Sequence, residues 1–116
     1  MEDPIIQDNL FELHADICKT LSNPLRLKII NELQEGEKTV NVLAKALGVR
    51  QANLSQHLAV LRQRGVVITR KEGSNIFYHI SNSKIIQACN LMREVLIEQI
   101  QKKSNIISRY MDTSVD

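Results

Sequence analysis

Residues Arg50–Gly65 read RQANLSQHLAVLRQRG. Projected as a helix at about 100° per residue, Leu54, Leu58 and Leu61 fall together and must face a core. Ala52, Ser55, Gln56, Ala59 and Gln63 fall on the opposite side. The stretch carries three arginines and no acid. A merely solvated helix gains from Glu–Lys pairs four residues apart, and this one has none. Small side chains let a backbone approach another surface closely. Ser55 and Gln56 can exchange hydrogen bonds with base edges, and alanine can meet a thymine methyl. Arg50 at the start, with Arg62 and Arg64 at the end, can reach phosphates flanking a groove. The surface that suits this face is the major groove of double-stranded DNA.

Working upstream, Thr39 can cap a short helix holding Val42, Leu43, Ala46 and Leu47. Gly48 ends it, because glycine tolerates the left-handed backbone of a tight turn. Downstream, VVITRKEGSNIFYHI (Val66–Ile80) places β-branched and aromatic residues on both sides of Glu72-Gly73-Ser74-Asn75. That pattern predicts two strands joined by a tight polar turn. Two helices on a glycine turn followed by a β-hairpin describe a winged helix-turn-helix. Arg70 and Lys71 lie beside the hairpin tip, where a wing can follow the DNA backbone or the neighbouring minor groove.

Residues about 5–21 form a first helix, with Ile6, Leu10, Leu13, Ile17 and Leu21 at helical spacing. Asn23-Pro24 opens the second, since Asn caps well and Pro suits the first helical position. Leu25, Ile29, Ile30 and Leu33 supply its apolar side. Ser83 can cap a last helix running to about residue 108. Its apolar positions, among them Ile85, Met92, Leu96 and Ile100, spread beyond one narrow stripe. So small a domain cannot bury them alone, so the first helix (about 5–21) and the last (about 83–108) are expected to form a dimer interface. The fold class is therefore mainly α with a small β-hairpin. Residues 1–116 make a single winged-helix domain of four helices, the hairpin and a fifth helix.

Charge is distributed unevenly. The net charge is +2, yet Lys38–Lys71 holds seven of the fifteen Lys and Arg and none of the thirteen acids. Such a block attracts a polyanion. Two Phe, two Tyr and no Trp leave no aromatic platform for stacking bases. The acidic start MEDPIIQDNL is unlike a signal peptide, and no apolar run reaches about 18 residues. These features point to a cytoplasmic protein with no membrane partner. Cys18 and Cys89 show no CxxC spacing and suit free, buried thiols.

LSNPLRLKIINEL, then TVNVLAKALGVRQANLSQHLAVLRQRGVVITRKEGSNIFYHIS, resembles the ArsR/SmtB group of small dimeric winged-helix repressors. The resemblance covers about residues 12–98. Its most specific parts are LSNPLRL, LSQHLAVLRQRGVV and RKEGSNIFYHI. It implies a homodimer on a near-palindromic operator, with repression relieved by an inducer. By position it assigns Gln51, Asn53, Ser55, Gln56 and His57 to the recognition helix. It assigns Arg70, Lys71, Ser74 and Asn75 to the wing. Metal sensors of this group often carry Cys-x-Cys before the turn, or paired Asp/His and His/Glu on the last helix. TVNVLAKAL has no cysteine, and SKIIQACNLMREVLIEQIQKK has no histidine, so no metal and no cofactor is expected at either place. Arg50 also stands where a Ser cap is common, an absence costing about 1 kcal/mol.

The inducer that the resemblance implies is unidentified, and a metal, a redox signal and a small molecule all stay open. His14 and Cys18, four apart on the first helix, could meet Cys89 of the last helix across a dimer interface, as ligands or a redox pair. The plain reading, a surface histidine and two buried thiols, is preferred. No glycine-rich phosphate loop, GxSxG or HExxH occurs, so no enzyme activity is expected. The alternatives to a DNA-binding regulator are a winged-helix protein-interaction module and an RNA-binding one. A helix cannot read the deep, narrow groove of duplex RNA, and a scaffold has no need of an acid-free basic block.

Overall fold

The computed structural model describes residues 4–115, and side chains over 7–110. The acidic residues 1–3 and the side chain of Ile6 lie outside the described residues. The order is α1 (Pro4–Leu21), α2 (Pro24–Leu33), β1 (Lys38–Thr39), α3 (Val40–Leu47), α4 (Gln51–Gln63), β2 (Val67–Glu72), β3 (Asn75–Ile80) and α5 (Ser83–Val115). Two compact units divide between Ile86 and Gln87, inside the last helix. The first holds the helix-turn-helix and its wing. The second is the remainder of α5.

Local chemistry sets the boundaries. Asn23 Oδ1 accepts from the Leu25 and Arg26 amides at 2.9 and 3.2 Å, satisfying two N–H groups that the first turn of α2 cannot. Thr39 Oγ1 accepts from the Val42 amide at 3.3 Å and starts α3. Gly48 ends α3 with φ +65°, the left-handed conformation that a side chain resists. Arg50, as its residue type predicts, makes no side-chain cap to α4. The last helix differs from expectation. Ser83 is its first residue, and Asn82 does the capping, its Oδ1 accepting from the Lys84 amide at 2.9 Å.

The sheet has three strands in the order β1-β3-β2, all antiparallel. Glu72 pairs with Asn75 around the Gly73-Ser74 tip, so the predicted hairpin stands. Periodicity missed β1, because two residues carry no alternation to detect. Lys38 and Thr39 pair with Tyr78 and Phe77, which docks the start of α3 onto the wing.

The core is aliphatic. Ile29, Ile30 and Leu33 of α2, Leu43 of α3, and Leu54, Leu58 and Leu61 of α4 meet Val66 and Val67, each at most 3% exposed. α3 turns Leu43 and Ala44 inward, whereas Val42 and Ala46 are exposed. So short a helix offers few positions from which to phase its apolar side.

Candidate nucleic-acid interface

With Leu54, Leu58 and Leu61 fully buried, α4 turns Gln51, Ala52, Asn53, Ser55, Gln56, Ala59, Arg62 and Gln63 to solvent. Arg64 follows at its C-cap and is also exposed. His57 is half-buried, and its Nδ1 accepts from Arg26 Nε at 3.1 Å. Gln51 is held as well: its Nε2 donates to Asn41 Oδ1 on α3, tying the two helices at the turn. Ser55, Leu58, Ala59, Arg62 and Gln63 line an open groove of about 400 Å³ together with Tyr78 of β3. The C-terminal half of α4 and Tyr78 of β3 thus line one groove.

The basic block is acid-free in sequence but not in space. Lys38 Nζ lies 2.6 Å from Glu32 and 2.8 Å from Glu35, and these carboxylates push its ammonium pKa up. Arg64 approaches Asp16 of α1 at 3.9 Å. Arg70 Nη2 meets Glu37 at 2.5 Å, its Nη1 meets Glu72 at 2.7 Å, and its guanidinium lies 4.7 Å from the centre of the Phe77 ring. Arg70 is raised accordingly, and Glu37 is held below the ordinary carboxylate range, first by its hydrogen bond from Arg70. That leaves Lys45, Arg50, Arg62 and Lys71 exposed and without an ion pair among the described residues.

At the wing, Arg70, Lys71, Ser74 and Asn75 are all exposed. Strand alternation puts Arg70 and Glu72 on one face and Lys71 on the other. Lys71 is therefore the wing's unpaired cation, whereas Arg70 braces the hairpin against the segment before β1. His79 Nδ1 is buried with no hydrogen-bond partner among the described residues.

Each candidate sensing residue can be located. His14 and Cys18 are exposed on α1, which corrects the expectation of a buried Cys18 thiol. Cys89 is partly exposed, and burial pushes its thiol pKa up, with Arg93 opposing. Among the described residues no group of three or more His, Cys, Asp or Glu could hold a metal ion.

Sequence reasoning missed Arg26, Asn41 and Tyr78. Arg26 and Asn41 act through partners 31 and 10 residues away, a pairing no periodicity encodes. Tyr78 sits in an aromatic-rich strand, where its residue type suits the sheet before it suggests a groove wall.

Known proteins share this architecture. Residues 23–69 match the bacterial regulatory proteins of the arsR family. The biofilm growth-associated repressor of Xylella fastidiosa is 40% identical over 85 residues, covering 73% of this chain and 75% of that protein. The crystal structure of the transcriptional repressor BigR from Xylella fastidiosa superposes with TM-score 0.69 at 37% identity, over 82% of this chain and 96% of that one. Rv0081 of Mycobacterium tuberculosis superposes with TM-score 0.73 at 33% identity, over 88% and 98%. A solution structure of Mb0332 from Mycobacterium bovis, a homodimeric winged helix-turn-helix DNA-binding domain, gives TM-score 0.76 at 29% identity, over 87% and 92%.

Proposed function

From a chain that belongs to the arsR family of bacterial regulatory proteins, we infer a homodimeric repressor that binds a near-palindromic operator in double-stranded DNA. It is a winged helix-turn-helix transcriptional regulator. Its dimeric state follows its relatives, and the Mycobacterium bovis neighbour is homodimeric.

The single observation that carries the reading is the orientation of α4. Three fully buried leucines commit one side to the core and hold the amide- and alanine-bearing side out. That side has the hydrogen-bonding groups to read base edges in a major groove, with Asn53, Ser55 and Gln56 at its centre. Arg50 and Arg62 flank it and are available for phosphates. Lys71, Ser74 and Asn75 bring the wing to the adjoining backbone.

Two copies associate through α1 and α5. Phe11 and Leu13 on α1 are 71% and 60% exposed, and Leu91, Met92 and Ile100 on α5 are 62%, 62% and 67% exposed. Surface of that kind on two helices is the mark of an association face. Among the described residues no helix is long and apolar enough to cross a membrane. The regulator works in the cytoplasm, where an inducer releases it. His14, Cys18 and Cys89 belong to that sensing step only if a partner subunit brings them together.

Selection of bound sequences from a random duplex pool tests the whole reading. A dyad-symmetric consensus, bound by two chains, is the expected result. A pool that never enriches, or a chain that stays monomeric at micromolar concentration, sinks it. Transcription in vitro from a promoter carrying the consensus should fall on adding the protein, and a rise would replace repression by activation.

A further inference from the structure

We propose that Arg26 is a positioning residue that fixes the reading helix against α1, and that His57 serves as its acceptor instead of reading bases. This rests on the DNA-binding reading above. Arg26 is the third residue of α2. Its Nε donates to His57 Nδ1 on α4 at 3.1 Å, and its Nη1 donates to the Thr20 carbonyl of α1 at 3.0 Å. One half-buried guanidinium therefore bridges three helices.

Each contact meets a physical need. Thr20 lies in the last turn of α1, where a carbonyl has no intrahelical donor and the helix dipole is negative. Its side chain is occupied within α1, donating to the Asp16 carbonyl at 2.9 Å, and the residue is only 5% exposed. An arginine there satisfies the orphan carbonyl and places a cation at the favourable end. His57 sits one residue before the buried Leu58, on the flank of the reading face. Accepting at Nδ1 leaves the ring proton on Nε2, which fixes the tautomer.

A planar fork with two donors at set angles holds both partners at once, which a lysine ammonium on a flexible stem does not reproduce. The consequence is for specificity. Contacts to phosphate tolerate a small rotation of α4, whereas base-edge hydrogen bonds and half-site spacing do not. Loss of Arg26 should therefore erode discrimination between sequences more than it erodes attraction to DNA.

The test compares the duplex selected from the random pool with a scrambled duplex of equal composition, at one salt concentration. Arg26→Ala and Arg26→Lys should each lower the ratio of the two affinities by about tenfold or more, while binding to the scrambled duplex changes by less than about threefold. His57→Asn, whose Oδ1 stands where Nδ1 does and can accept from Arg26, should keep the ratio within about threefold, and His57→Ala should lose it. Nitrogen-15 spectra of the free protein add a readout without DNA. The His57 ring should be a single Nε2–H tautomer in the natural chain and a mixture in Arg26→Ala. The inference fails if Arg26→Ala keeps the ratio, if the tautomer is unchanged, or if His57→Asn behaves like His57→Ala. A natural chain that selects no duplex overturns the regulator reading as well; normal selection by Arg26→Ala overturns this inference alone.

Discussion

Helix α4 and the wing each expose arginine, but in different states. Arg50 and Arg62 stand exposed on α4 with no carboxylate partner among the described residues. Arg70 of the wing is held by Glu37 and Glu72 and lies over Phe77. A cation already paired gains less from a phosphate, because the phosphate must first displace the carboxylates. Charge counted along the chain therefore overstates the charge that the fold offers to a polyanion.

The largest effect expected on either side of this contrast comes from beneath α4. Leu58→Ala should lower unfolding free energy by about 2–5 kcal/mol in denaturant titration, since it empties a fully buried site. A loss below about 1 kcal/mol would mean that α4 is not clamped by its inner face. Next comes readout on the outer face. Gln56→Ala should cost about 1–3 kcal/mol on the selected duplex and nearly nothing on a scrambled one. Equal losses on both would remove Gln56 from base recognition.

The two arginines should then separate by salt dependence. Arg62→Ala should reduce the slope of log K against log salt by about 0.9, the loss of one phosphate contact, and Arg70→Ala by clearly less. Equal reductions would erase the contrast between helix and wing. Glu37→Gln sharpens it from the other side: removing an acid that occupies Arg70 should steepen the slope, and an unchanged slope would show Arg70 to be purely a brace.

The smallest effect concerns pH. Arg70 lowers the Glu37 pKa in the folded chain, so the stabilisation from this pair is present above the ordinary carboxylate range. It is lost as pH falls through the lowered folded value. Carbon-13 titration should find the Glu37 midpoint below that of a free glutamate, and Arg70→Ala should return it toward the ordinary value. A midpoint that does not move would detach Glu37 from the wing.

Much of the fold was legible because its signals are local. The leucine spacing of α4, Asn23 before Pro24, Gly48 after α3 and the Gly73-Ser74 tip each act within a few residues. β1 escaped notice because it exists only through pairing with Tyr78 and Phe77, about 40 residues away. Asn82 capped the last helix instead of Ser83 because either residue type can cap, and one residue of phase separates them. Cys18 was read as buried from residue type alone, yet it is exposed on α1.

The sequence alone determined the order of elements, the buried leucines of α4 and the amide-rich face they turn outward, since helical phase follows directly from residue spacing. Tertiary structure alone decided which cations remain free and that His57 is held by Arg26. Those outcomes depend on side chains distant along the chain meeting within about 3 Å, a coincidence of packing that no local pattern records.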